Sequence, residues 1–190
     1  DTPAITLTDA AREKLHQVLA SRQGQIPGLR LQIVSRLGGE FQHILSFAES
    51  EAQVRDDVRV EVDGIPIYCE RTSVPYLNGL KVHFVDKGPH TSGLEFDKPN
   101  PLWWDETEQL IQHIFDHEIN PAIASHGGYV GLLGVRDDAA YVQLGGGCQG
   151  CGLADVTLKQ GIEATIVQRV PAIRRVIDQT DHAAGANPYY

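Results

Sequence analysis

The stretch Gly145-Gly146-Gly147-Cys148-Gln149-Gly150-Cys151-Gly152 limits the possible folds of this chain more than any other. It sets two cysteines three apart among five glycines, between a segment that alternates as a strand, Tyr141 to Leu144, and one with helical periodicity, Leu153 to Val170. Glycine carries no side chain and admits positive φ, so such a loop can turn backbone N–H groups toward a ligand or let a second chain come close. A soft, sulfur-rich and sterically open site is expected at the junction.

What that site can hold depends on the number of sulfurs and on the compartment. The chain has 190 residues, room for one large or two small domains, with 42% hydrophobic and 22% charged residues, ordinary for a globular protein. Sixteen Lys and Arg against 25 Asp and Glu leave a net charge of -9, which argues against a nucleic-acid partner, because phosphate neutralisation needs a basic face. No apolar run is long enough to span a bilayer, and Asp1-Thr2-Pro3 lacks the basic and apolar regions of a signal peptide, so a cytoplasmic protein with no membrane partner is expected. The chain starts at Asp1 rather than Met, which points to processing or to a trimmed chain. Three cysteines, two of them close together, do not make a disulfide framework; in a reducing compartment such a pair reads as metal-binding or redox-active.

The first half is rich in strand signals behind one leading helix. Ile5-Thr6-Leu7 is a short strand, and Thr8-Asp9 opens a helix from Ala10 to Arg22 with Ala11, Leu15, Val18 and Leu19 on one face. Leu29, Leu31 and Ile33 alternate, Gly38-Gly39 marks a turn, and Phe41 to Phe47 continues as a strand. Val58, Val60 and Val62 lead to Asp63-Gly64, and Ile65, Ile67 and Cys69 lead away, a two-residue hairpin of the primed type. Its register sets Val62 opposite Ile65 and Val58 opposite Cys69, so Cys69 is expected to be a small buried hydrophobe rather than a ligand. Thr72 to Asn78 reads as a helical turn, and Leu80 to Phe84 and Leu94 to Phe96 read as strands. Pro99-Asn100-Pro101 then biases its neighbours away from helix and marks a boundary near residues 98 to 102.

Beyond that boundary, Trp103-Trp104 is expected to anchor a helix capped by Asp105, with Glu108 completing a capping box and Leu110, Ile111, Ile114 and Phe115 as its stripe. Asn120-Pro121 reads as the cap and first residue of a short helix ended by His126-Gly127-Gly128. Strands at Tyr129 to Val135 and Ala140 to Leu144, the cysteine loop, a helix with Leu158, Ile162 and Ile166 in line, and a strand near Ile173 to Ile177 complete the chain. His113 and His117, four apart, put two imidazoles on one helical face where a metal could bind, but Ile114-Phe115-Asp116 between them is not the HExxH pattern of zinc proteases, and they fall at the edge of the stripe, so a solvated flank is expected.

Two thiolates three apart suit a disulfide, half of a four-cysteine metal site, or half of an iron-sulfur cluster site. An all-sulfur centre usually takes four ligands, and this chain offers two in the motif plus Cys69 in another domain, so two chains would have to share it. The glycines would let the backbones meet, and the N–H groups at the start of the following helix would face the negative charge of a thiolate-ligated cluster. The alternative is a thiol-disulfide oxidoreductase using Cys148 and Cys151, since a CxxC between strand and helix is also a thioredoxin-like layout. Against it, no aromatic residue precedes Cys148, and the run of glycines holds a nucleophile loosely. A fortuitous pair is the third reading.

Ile119-Asn120-Pro121, then His126-Gly127-Gly128-Tyr129-Val130, then Gly145 to Cys151, then Val156-Thr157-Leu158-Lys159-Gln160-Gly161-Ile162-Glu163 together resemble the Nfu family of iron-sulfur cluster carriers over roughly residues 102 to 180. The resemblance implies a carrier rather than an enzyme: one 4Fe-4S cluster per homodimer, held by Cys148 and Cys151 of each protomer, taken from a scaffold or other carrier and handed to apo iron-sulfur enzymes. The first half resembles the A-type (HesB-like) carrier fold, and Asn187-Pro188-Tyr189-Tyr190 is similar to the tail of two-domain bacterial members. The implied fold is α+β in two domains, a mostly-β A-type-carrier-like domain over 1–98 and a small α/β Nfu-like domain over 102–190, joined by a linker at 99–101. A-type carriers place cysteines in an early β region and near the domain's end. This chain has Gly38-Gly39-Glu40-Phe41 and Phe96-Asp97-Lys98-Pro99-Asn100 there, so its first domain is expected to be ligand-free and to dock targets or donors.

Overall fold

The local patterns become elements for identifiable reasons. In this computed structural model, which describes residues 2–36, 39–86, 88, 93–146 and 152–180, with backbone alone over 152–155, the chain divides into two compact units. One is Asp1–Val34 with Gln42–Pro101, and the other is Ser35–Phe41 with Leu102–Tyr190. Residues 35–41, which fall within the first half in sequence order, are grouped by their contacts with the second unit.

In the first unit, strand β1 (Ile5–Leu7) is followed by helix α1 (Asp9–Ala20), whose cap Thr8 accepts a hydrogen bond from the Ala11 N–H through its hydroxyl. Strands β2 (Gly28–Ser35), β3 (Gln42–Ala48), β4 (Val58–Val62) and β5 (Ile65–Cys69) form a sheet in the order β3-β2-β5-β4. Strands β6 (Leu80–Val85) and β7 (Gly93–Asp97) join β1 in a second sheet, β1-β6-β7. The β4–β5 hairpin has the expected register, Val62 against Ile65 and Val58 against Cys69, and both turn residues, Asp63 and Gly64, have positive φ (51° and 79°), as a primed two-residue turn requires.

A buried ion pair ties the ends of this sheet together. Arg30 on β2 donates from Nε and a terminal nitrogen to the two Asp57 carboxylate oxygens at 2.6 and 3.3 Å, and lies 3.7 Å from Glu70 just past β5. The Asp57 side chain is only 5% exposed, so the two-pronged match is what makes its burial tolerable. Cys69 is fully buried among Leu29, Leu31, Ile65 and Leu80. Burial, with the nearby Asp57 charge, pushes its thiol up to about 12, so it is protonated at neutral pH and a poor ligand or nucleophile.

In the second unit, helix α2 (Glu106–Ile114) runs through a π turn (Phe115–Ile119) into α3 (Asn120–Ile123). Asn120 is therefore not a helix cap: its φ and ψ, -62° and -40°, are helical, and the helical path passes straight through Pro121. The reason is the π turn, where the Asn120 N–H reaches back to the Phe115 carbonyl and widens the helix just ahead of a residue with no N–H to donate. Asp105 does cap α2, accepting from the N–H groups of Thr107 and Glu108. The Glu108 carboxylate, expected to complete a capping box, instead accepts from the Val135 N–H at 3.0 Å, beside the bulge between Leu132 and Gly134. Trp103 is buried with its indole N–H donated to Gln112, while Trp104 is 54% exposed, so one tryptophan of the pair anchors the helix. Strands β8 (Gly128–Arg136), β9 (Ala139–Gly146) and β10 (Arg175–Asp178) form a sheet in the order β10-β9-β8, with helix α4 (Gly152–Arg169) supplying buried Ile162 and Ile166 to the core.

Two predictions follow from buried groups of the first unit. Cys69 should resist iodoacetamide in the native protein and react only after unfolding, as read by peptide mass. His43, stacked on Phe96 at 5.0 Å, is lowered from its ordinary 6.5 to about 4, chiefly by burial and secondarily by the Lys98 charge. A histidine whose folded pKa lies below its unfolded value takes up a proton on unfolding, so its contribution is complete above pH 6.5 and shrinks as pH falls toward 4. Over that window the denaturation midpoint of His43→Gln should fall less steeply than that of the unsubstituted protein.

Candidate functional site

The strand that leads into the CxxC motif ends in close contacts that leave no room for a side chain. Strand β9 reaches it paired antiparallel with β8, Val130 against Leu144, Tyr129 against Gly145 and Gly128 against Gly146. A Cβ at Gly145 would fall inside the Tyr129 ring, and one at Gly146 would overlap the Gly127 carbonyl oxygen. Gly146 also has φ +62°, in the left-handed region, as does Gly127 at +70° where the preceding helical segment ends. The close approach of two backbones thus explains Gly146, and the Tyr129 side chain lying over the strand explains Gly145.

The supports beneath this hairpin end are polar and specific. The Asn120 side-chain amide grips the backbone of Val130 on both sides, accepting from its N–H at 2.7 Å and donating to its carbonyl at 3.0 Å. On the other edge the Leu144 N–H donates to Thr180 Oγ1 at 2.7 Å, the Thr180 hydroxyl donates to Asp178, and the Gln179 N–H donates to the Val142 carbonyl. Beyond the loop, Glu163 of α4 accepts from the Val176 N–H of β10 at 2.9 Å, so helix and sheet are locked in register. Tyr129, paired across the hairpin with Gly145, and Val156, five residues past Cys151, are 37% and 58% exposed apolar side chains.

Residues 147–151, with Cys148 and Cys151, lie outside the described residues. Their attachment is fixed by the chain: Cys148 comes two residues after the end of β9, and Cys151 immediately precedes the first residue of α4. The first N–H groups of any helix have no partner within it and present the positive end of its dipole, which suits thiolate or cluster charge.

The other sequence candidates separate clearly. Cys69 is sealed in the core of the first unit. His113 and His117 come together as stacked rings on the helix surface, and His126 is exposed at the end of its helical segment. Among the described residues no group of three or more His, Cys, Asp or Glu side chains could hold a metal ion. Sequence reasoning missed the clamp by Asn120 on Val130, because an asparagine before a proline carries the same local signal as a helix cap. The two glycines opposite Tyr129 and Gly127 were legible as a place of close approach, but their partners were not.

Comparison with known proteins agrees with this division. Residues 3–102 match the family profile described as iron-sulphur cluster biosynthesis, and residues 111–177 match the NifU-like domain. The Fe/S biogenesis protein NfuA of Azotobacter vinelandii is 32% identical over 98% of this chain and 99% of its own length. The protein of the same name from Xanthomonas euvesicatoria pv. vesicatoria is 35% identical over 97% of this chain and 96% of its own. Escherichia coli SufA, whose crystal structure is described as involved in biosynthesis of iron-sulfur clusters, matches 52% of this chain and 89% of its own at 25% identity, with a TM-score of 0.43. The chain, of mixed α+β fold with an iron-sulphur cluster biosynthesis domain ahead of a NifU-like domain, belongs to the NfuA family of Fe/S biogenesis proteins, which are carriers rather than enzymes.

Proposed function

We propose that this protein carries a 4Fe-4S cluster shared between two copies of the chain, each supplying Cys148 and Cys151, and passes it to apo iron-sulfur proteins. The observation that carries the reading is the state of the third cysteine. Cys69 is fully buried, its thiol pushed up to about 12, which leaves two usable thiolates per chain. A cluster ligated wholly by cysteine takes four, so a second copy must complete the set. The loop's attachment supports the arrangement: glycines without side chains at the end of β9, and exposed Tyr129 and Val156 that a second copy would cover.

Release follows from the same features. Thiolates of a recipient displace Cys148 and Cys151 stepwise, each new Fe–S bond forming as one is given up, with no change in the oxidation state of the cargo required. The first unit, with no cysteine except the buried one, then serves to dock donors or recipients, in the reducing cytoplasm where thiolate sites persist.

Anaerobic reconstitution of the single variants Cys148→Ala and Cys151→Ala should give folded protein without the brown chromophore, read by absorption alongside circular dichroism, while Cys69→Ala keeps it. A chromophore that survives loss of either motif cysteine, or a colourless protein that reduces insulin disulfides, would overturn the proposal. Gly146→Ala should lose roughly 1–3 kcal/mol in denaturant unfolding, since the new methyl meets the Gly127 carbonyl at a left-handed φ.

A further inference from the structure

One strand of the first unit leaves its hydrogen-bonding edge open beside an apolar cleft. Strand β3 ends the sheet β3-β2-β5-β4, and among the described residues no strand pairs with its outer side. The other strand edges of the unit have features that discourage pairing with a foreign chain: β4 has Arg59 and Glu61, β7 has Glu95 and Asp97, and β1 is three residues long. Strand β3 is seven residues long, Gln42-His43-Ile44-Leu45-Ser46-Phe47-Ala48, with no Asp, Glu, Lys, Arg or Pro. Beside it lies a cleft of about 490 Å³, floored by buried Leu15 and Leu29 and lined by three successive residues of the strand, Leu45, Ser46 and Phe47. Successive side chains of a strand point to opposite faces, so a cleft that touches all three runs along the edge of β3 rather than over one face.

We propose that this cleft takes an extended segment of a partner protein, which adds to the open edge of β3 and seats alternate apolar side chains against the cleft walls. The main chain of such a segment pairs with the N–H and C=O groups that an edge strand presents. The walls suit its side chains: Val18 of α1, Phe84 of β6 and Leu94 of β7 are half-buried, packed against the core of the unit on one side and facing the cleft on the other. Lys14 stands at the rim with its Nζ 5.5 Å from the centre of the Phe84 ring, and Glu49 and Gln53 complete the polar border. A compact apolar ligand would use the walls alone, whereas an extended segment uses both the walls and the strand edge. That the partner gives or receives the cluster rests on the carrier function proposed for the chain; the fit of an extended segment does not.

The test uses the cluster-free full chain carrying Cys148→Ser and Cys151→Ser, so that its outcome is independent of cluster binding. The probe is the peptide acetyl-Lys-Leu-Thr-Leu-Thr-Leu-Lys-amide, followed by peak shifts in the nitrogen–proton NMR correlation spectrum. Shifts confined to β3 and the cleft lining are expected, and none from acetyl-Lys-Leu-Leu-Leu-Thr-Thr-Lys-amide, which has the same composition without the alternation. Methylating the peptide's backbone nitrogens along one edge should abolish binding, and along the other edge should weaken it far less. Ser46→Lys, which puts a charge on the strand edge and leaves the apolar walls in place, should weaken binding about tenfold. Val34→Lys, at an exposed apolar position of β2 outside the cleft, should leave it unchanged. Equal binding of the two heptapeptides or of the two methylated forms, unchanged affinity in folded Ser46→Lys, or no binding at all would overturn the assignment. So would a cluster-free dimer that the peptide dissociates, since a second copy would then be the occupant.

Discussion

The end of β9 meets the start of β8 through glycines that leave no room for a side chain, and the geometry of the candidate site depends on that meeting. Gly146 stands against the Gly127 carbonyl and Gly145 against the Tyr129 ring, so β9 is brought to its end beside the start of β8. Asn120 holds the neighbouring Val130 from the helix side, and Thr180 holds Leu144 from the β10 side. Each contact satisfies a backbone group that would otherwise be costly to leave unpaired in a partly buried place. The motif segment therefore follows a strand end that is held across the fold, and α4 begins directly after it in sequence.

The chemistry follows from exclusion as much as from the motif. Packing Cys69 among aliphatic side chains removes it from any ligand set and keeps its thiol protonated, so the first unit has no exposed sulfur. That leaves the two motif cysteines on one unit as the pair the proposed cluster site needs, while the other unit has a core sealed around its only cysteine.

Much of this was legible in the sequence where the signal is local. The alternation on either side of Asp63-Gly64 gave the hairpin and its register, because a primed turn demands positive φ at both positions and those residues tolerate it. The burial of Cys69 followed from that register alone. The path through Asn120-Pro121 was not legible: a cap and a helix interior share the dipeptide, and what decides is a π turn and a hydrogen bond to a strand ten residues on. The role of Glu108 was hidden for the same reason, since its partner is the N–H beside a bulge in another element. Of the site itself, the cysteine pair and its glycines were evident from spacing, while the residues that clamp the hairpin beneath them act across the fold and leave no periodic trace.

The central claim is that two copies of the chain are needed to make one cluster site. Native mass measurement of the anaerobically reconstituted protein, with iron and acid-labile sulfide assayed on the same sample, tests it most directly. The account predicts a dimer bearing about four iron and four sulfide per two chains; a cluster-loaded monomer would contradict it.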